Sequence, residues 1–334
     1  MRETLTIVGL LLLIAGCHGL TEYEGTLHAG VVFVRADDLT IDRVMEGFGD
    51  CRALLPLDES TLYVMGYQGT LFRVDTDSMR VDTMLAIWSG PALGPVAMIS
   101  PYPNEDIYII GSGDGVTEVS VEENSIEDIF HPGPSPACFV CSHRTVEPSF
   151  YVGDSQDGLL REVDATYNAV IRWADTGYSP YALGLDVTGE FLMVSDFREG
   201  VLRVMNVGLD PIHAGQTAAP GGVIDIEAPA GCEGLYMAEP CWESSSGNLL
   251  YATMSVPGGL SVSGTGMPGH PVGLSSSTDG AFLYVLSNTG SGTGLLTVMD
   301  VQTGAVAGTL VLDGYPWDVA AHGDGEYVLV LVAD

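Results

Sequence analysis

A strand that begins on a glycine recurs along this chain, and its spacing constrains the fold more than any other feature. Gly30 leads GVVFVRAD, Gly69 leads GTLFRVDT, Gly115 leads GVTEVSVE and Gly158 leads GLLREVDA. Gly200 leads GVLRVMNV, Gly259 leads GLSVSGTG and Gly294 leads GLLTVMDV. Most of these segments alternate in polarity and then meet Asp, Asn or Thr, the period of a half-buried strand. Successive glycines stand 39, 46, 43, 42, 59 and 35 residues apart. A period of about 40–50 residues suits one four-stranded propeller blade.

Each repeat has further parts. Upstream of six glycines lies a second strand: TLYVMGY, DIYIIGS, SFYVGDS, EFLMVSD, NLLYATM and AFLYVLS. Glycine-rich turns join the pairs, so each reads as a β-hairpin. Further upstream comes a short apolar stretch, opened by Pro at Pro95, Pro136, Pro180, Pro271 and Pro316. CRALLP from Cys51 and CEGLYM from Cys232 fill the same slot without Pro. The longest interval contains GLDPIHAGQTAAPGGVIDIEAPAG, which reads as an inserted loop.

The chain ends on EYVLVLVAD, an apolar run with no following sequence to pair with. An exposed apolar edge invites aggregation. Gly30 has a strand after it but no hairpin partner before it, whereas the C-terminus has an inner strand, PWDVAA, and a second strand but no third. The two fragments make one blade. The expected fold is therefore all-β: a seven-bladed β-propeller of four-stranded antiparallel blades. It closes by pairing Val328–Val332 with Val31–Arg35.

The repeat resembles the YVTN family of bacterial β-propellers and the wider lactonase-like propeller group. The best match is GHPVGLSSSTDGAFLYVLSNTGSGTGLLTVMDVQTGAVAGTL, with its Pro-led inner strand, a turn at Ser277–Gly280, the LYV strand and D-x-x-TG at Asp300–Gly304. The resemblance covers about residues 28 to 334 and is faintest around Cys232. It implies a fold more than a function.

Ahead of the repeats stands MRETLTIVGLLLLIAGCHG. Its apolar stretch, Leu5–Ala15, has 11 residues, too few for a spanning helix of roughly 20. It has the length of a signal-peptide core. LIAGC, Leu13–Cys17, resembles a bacterial lipobox, in which the Cys becomes the lipidated first residue. The expected organisation is a signal peptide over 1–16, a tether over 17–29 and one propeller domain over 30–334. By resemblance to enterobacterial lipoproteins, His18 after the Cys favours the outer membrane, on its periplasmic or its surface face.

Composition narrows the partners. The chain has 44 acidic residues against 11 basic ones, all Arg, for a net charge of −33. That excludes nucleic acid or an anionic membrane face as a partner, leaving the lipid anchor as the only membrane contact. A lysine nucleophile or Schiff base is impossible. Export permits disulfides. Cys232 and Cys241 are expected to pair across EGLYMAEP, while the pairing of Cys51, Cys138 and Cys141 stays open.

Propeller ligands sit at the mouth of the central channel, where the inner strands begin. Arg52, Tyr178, Tyr181, Glu233, His270, Tyr315 and Trp317 occupy those positions. Such a set suits a polar or amphipathic ligand, with aromatic stacking and Arg52 facing a carboxylate. A lactonase-like hydrolase or lyase is the alternative, using Glu233, His270 and Asp318. No metal site is expected, since the seven histidines show no HxH or HExxH spacing, and there is no GxSxG. Acidic turns at Asp114, Asp154, Asp157, Asp196 and Glu199 can bind calcium weakly but read first as turn chemistry. The expected role is a monomeric, non-catalytic envelope scaffold that binds a protein, peptide, glycan or small ligand.

Overall fold

The computed structural model describes residues 30–88, 97–101, 106–111, 115–141, 148–176, 179–208, 211–219, 221–242, 244–255 and 259–333. Cys17, the 1–16 and 17–29 segments, Asp114 and Tyr178 lie outside them. Among the described residues there are strands and turns but no helix.

The chain starts with β1 (Gly30–Arg35) and β2 (Ile41–Glu46). Blade one follows as β3 (Cys51–Pro56), β4 (Thr61–Gly66), β5 (Thr70–Asp75) and β6 (Arg80–Ala86). Blade two is β7 (Ala97–Ile99), β8 (Asp106–Ile110), β9 (Val116–Ser120) and β10 (Ser125–Phe130). Blade three is β11 (Pro136–Cys141), β12 (Ser149–Asp154), β13 (Leu159–Asp164) and β14 (Ala169–Asp175). Blade four is β15 (Pro180–Leu185), β16 (Phe191–Asp196), β17 (Val201–Asn206) and β18 (Pro211–Ala218). Blade five is β19 (Asp225–Glu227), β20 (Gly234–Glu239), β21 (Ser246–Ser255) and β22 (Gly259–Pro268). Blade six is β23 (His270–Ser276), β24 (Phe282–Asn288), β25 (Thr293–Asp300) and β26 (Val306–Asp313). The last two strands are β27 (Tyr315–Ala321) and β28 (Tyr327–Ala333).

Every sheet has four antiparallel strands, and the seventh runs β27-β28-β1-β2. β28 pairs with β1 from Tyr327↔Arg35 to Val332↔Gly30, so the two ends of the chain close one blade. The inner strands β3, β7, β11, β15, β19, β23 and β27 pack side by side, and β27 returns to β3. This is a closed seven-bladed propeller.

The terminal run is apolar on both faces because each blade is packed between two others. Val328, Val330 and Val332 join Leu286, Leu296 and Val298 of blade six. Leu329 and Leu331 turn the other way, against Leu62, Val64 and Phe72 of blade one. Alternation therefore survives as alternation between two cores, with period two intact. The outermost strands face water, as in β6, where all but one residue is exposed. At Gly69 the turn between the second and third strands of blade one needs φ +85°, which a residue with a Cβ resists.

Blade five departs from the expected phase. GGVIDIEAP is not an inserted loop: it holds the inner strand β19, and PIHAGQTA is the outer strand β18 of blade four. GLYMAE is the second strand, β20, and Gly259 opens the outermost strand, β22. β19 is only three residues long and begins without Pro, so it lacks the cue that marked the other inner strands.

The Cys232–Cys241 disulfide is corrected by the same shift. The two cysteines flank β20, and an extended strand rises about 3.3 Å per residue, far beyond the roughly 7 Å Cα limit for a bridge. Both are free thiols. Cys232 Sγ lies 3.7 Å from the Tyr251 hydroxyl, and Cys241 Sγ lies 3.4 Å from Asn248 Nδ2.

Candidate binding site at the channel mouth

The inner strands share a local defect that builds the mouth. Their pairing with the second strand slips between Cys51 and Ala53, Pro136 and Cys138, Pro180 and Ala182, Pro271 and Gly273, and Pro316 and Asp318. Each slip is a bulge with one extra residue, which bends the strand and re-aims that side chain. The bulged residues Arg52, Tyr181, Val272 and Trp317 all line one cavity of about 830 Å³. A Pro at the preceding position suits a bulge, because it has no N–H to give to the ladder.

The residue after each bulge sits one level deeper. By register this level holds Ala53, Ala97, Cys138, Ala182, Asp225, Gly273 and Asp318. Five of the seven are small, which lets the inner strands converge. The other two are carboxylates that reach sideways into the next blade. Asp318 Oδ2 accepts the Leu54 N–H at 2.7 Å, and Asp225 Oδ2 accepts the Leu274 N–H at 2.7 Å. Their Oδ1 atoms accept the following Val319 and Ile226 N–H groups, each at 2.8 Å. Below Asp225, Glu227 Oε1 accepts both the N–H and the hydroxyl of Ser276, at 3.0 and 2.6 Å.

Burial dominates the electrostatics of this level. It pushes Asp225 up to about 7 against the pull of the Leu274 N–H, and the charges of Glu227 and Asp318 push the same way. Burial also takes Asp318 up to about 7, opposed by the Leu54 and Val319 N–H groups. Glu227 is raised by burial, in part offset by Ser276.

Above them the rim is aromatic. The Arg52 guanidinium stacks on Trp317 with its carbon 3.4 Å from the ring centroid and lies 5.0 Å from that of Tyr67. Its Nη2 is 2.9 Å from Asp50 Oδ2. Nη1 is buried without a hydrogen-bond partner. Tyr181 packs on Phe197 at 5.4 Å. Trp242, Tyr315 and Trp317 remain 51%, 43% and 42% exposed at the opening.

Of the residues named from the sequence, Arg52, Tyr181, Tyr315, Trp317 and Asp318 meet in this cavity. Glu233 does not. It lies in the bend before β20, at the end of blade five away from the mouth, because the second strand starts where the inner strand ends. His270 is not among the residues that line the cavity: its ring stacks on Trp242 at 4.9 Å, and its Nδ1 donates to the Pro240 carbonyl at 2.5 Å. The Glu233–His270–Asp318 constellation is therefore not assembled.

Sequence reading missed Asp225, Tyr67, Phe197, Trp242 and Asn288, all in the cavity wall. Tyr67, Phe197 and Trp242 sit in turns after a second strand, which reach the same end of the blade as the start of the inner strand. Asp225 carried a signal, since VID-I in blade five matches PWD-V in blade seven.

The turn carboxylates do as turn chemistry requires. Asp154 Oδ1 accepts the Gln156 and Asp157 N–H groups at 2.9 and 3.1 Å, and Asp196 Oδ1 accepts those of Arg198 and Glu199 at 2.7 and 2.9 Å. Away from the channel, ligand atoms of Asp106, Glu118 and Glu127 lie within 4.8 Å of one another. Glu118 there already accepts the Tyr108 hydroxyl at 2.8 Å and Asn168 Nδ2 at 2.7 Å.

No protein-family model matches the chain, and no curated protein sequence matches it. Solved structures do. Hydrazine synthase of Kuenenia stuttgartiensis is 15% identical with a TM-score of 0.64, over 83% of this chain and 90% of that one. The β-propeller domain of Cps50 (Swd1) from Myceliophteria thermophila is 10% identical with a TM-score of 0.68, over 88% and 99%. Streptogramin B lyase is 9% identical with a TM-score of 0.66, over 91% and 97%. At such identities the likeness is one of fold.

Proposed function

We propose that the chain is a lipid-anchored propeller of the bacterial cell envelope that binds a ligand in its channel mouth. One observation carries the reading. Bulges in the inner strands turn Arg52, Tyr181 and Trp317 into a cavity of about 830 Å³, a volume suited to a small molecule, a short peptide end or a glycan unit. Half-exposed tryptophan at such an opening is the usual anchor of a binding surface. The carboxylates below are held by backbone N–H groups, an arrangement that favours rigidity.

The anchor at Cys17, the outer-membrane location and kinship with YVTN-type propellers belong to the same proposal, on the lipobox-like LIAGC and the blade motif. The chain is taken to act as a monomer, with an envelope protein, peptide or glycan as its partner.

Two variants test it. Trp317→Ala should abolish recovery of whatever the wild-type chain retains from envelope extracts, with the thermal melt unchanged. Equal recovery by both proteins would remove the mouth as the site. Cys17→Ala should move the chain from the membrane fraction to the soluble fraction; continued membrane association would refute the anchor.

A second reading, a propeller hydrolase or lyase, has one observation in its favour: Asp225 and Asp318 share the cavity with pKa values raised to about 7, where general acid–base groups work best. Turnover of a retained ligand that is lost in Asp318→Asn would establish it.

A further inference from the structure

We propose that the mouth takes a small organic cation, an ammonium head on an apolar or aromatic body, with the charge against Asp225 and Asp318 and the body against Trp317. This rests on the mouth being the binding site and specifies what that site accepts.

The charge balance of the cavity comes first. Asp225 and Asp318 both line it, and among the described residues neither forms an ion pair with a basic side chain. Each carboxylate accepts two backbone N–H groups, and a carboxylate has about four acceptor sites, so acceptor capacity remains on both. Negative charge held half-buried without a counter-cation is costly, and the raised pKa of both groups reports that cost. An arriving ammonium supplies the missing partner.

Among the described residues Arg52 is the one basic residue in the cavity wall, and it does not make the site prefer an anion. Its charge is paired with Asp50, and its free Nη1 is buried beneath the rim. Its guanidinium shows instead that the Trp317 ring accepts a cation on its face. The rim therefore offers aromatic faces suited to cation–π contact in the same cavity that the two carboxylates line. At long range the net charge of −33 concentrates cations around the molecule and repels anions.

Three probes of one shape separate the possibilities: 2-phenylethylamine, 2-phenylethanol and 3-phenylpropanoate. Each is titrated into the purified full chain in a non-ionic detergent, followed by calorimetry and tryptophan fluorescence. The amine should bind at least about tenfold more tightly than the alcohol, with the carboxylate weakest. The preference should persist at about 0.15 M salt, since diffuse surface attraction is screened there whereas enclosed charges are not.

In the Asp225→Asn/Asp318→Asn double variant the amine should fall to the affinity of the alcohol, which should itself be retained. If that variant fails to melt cooperatively, each single variant should lose part of the preference. Trp317→Ala should weaken all three probes. An alcohol or carboxylate that binds as tightly as the amine overturns the inference, as does an amine preference that survives the double variant. In either case binding that still depends on Trp317 leaves the mouth intact as the site. Absence of Trp317-dependent binding for all three removes the site and the inference together.

Discussion

At Gly69 the chain makes visible why a glycine marks the repeat. Its φ is +85°, and a Cβ there would stand 2.3 Å from the Trp88 carbonyl oxygen. Gly304 has φ +67°, but a Cβ there would meet nothing within 4 Å. The pair separates strain from collision. Gly304→Ala should cost about 1–2 kcal/mol, the ordinary penalty of the left-handed region. Gly69→Ala adds a clash with backbone that cannot swing away, so it should cost clearly more, and thermal unfolding of the two variants side by side measures the difference. Legibility at this scale obeys the same local geometry. Arg52, Tyr181 and Trp317 are readable at the mouth because each stands one place inside an apolar stretch, and the bulge there aims it into the cavity. Glu233 shares that slot in sequence only, and His270 does not share it. The segment of Glu233 belongs to a second strand, and His270 precedes the Pro of its stretch and therefore the bulge.

The inner strands are tied to one another by side chains as well as by packing. Asp318 joins blade seven to blade one, and Asp225 joins blade five to blade six. Their titration gives stability a definite pH dependence. A free Asp titrates near about 3.9, whereas burial, with the like charge of Glu227 beside Asp225, pushes both groups up to about 7 in the fold. Between those values the folded state binds more protons than the unfolded one, so stability falls as pH rises from about 4 through about 7 and levels by about pH 8. Turn carboxylates act in the opposite sense: Asp75 and Asp300 are held low by the Ser78 and Thr303 N–H groups, and their contribution is lost only as pH drops below about 4. The melting temperature should therefore peak near about pH 5 and decline toward about pH 8. An amide oxygen can still accept the same N–H, so Asp318→Asn should flatten the decline and raise the melting temperature at the alkaline end; a decline identical to wild type would disprove the assignment. The short β19 that carries Asp225 is hidden in the sequence because three residues without Pro look like loop, and only the blades on either side define it as a strand.

The whole molecule depends on one seam. Most of the architecture is legible because a propeller repeats its chemistry, and two half-blades at the ends of a chain have a single way to satisfy each other. The two strands do pair antiparallel, from Val328↔Val34 to Val332↔Gly30, one residue along from the expected partners Val31–Arg35. The cost of opening the seam follows from burial. Val328, Leu329, Val330 and Leu331 are fully buried and Val332 is 2% exposed. At about 1.5–3 kcal/mol for each buried aliphatic side chain, the five together approach about 10 kcal/mol. That is comparable with the entire stability of a typical domain, about 5–15 kcal/mol. Deleting residues 326 to 334 would also strip β1 and β27 of their shared neighbour and leave two unpaired edges flanking bare cores of blades six and one. The truncated chain should aggregate rather than melt a few degrees earlier. Trimming only 333 and 334 leaves the register from Val328 to Val332 intact and should be tolerated. Size-exclusion chromatography and calorimetry of the two truncations decide the matter: a soluble, monomeric and cooperatively unfolding 1–325 chain would mean that the ring holds without its seam.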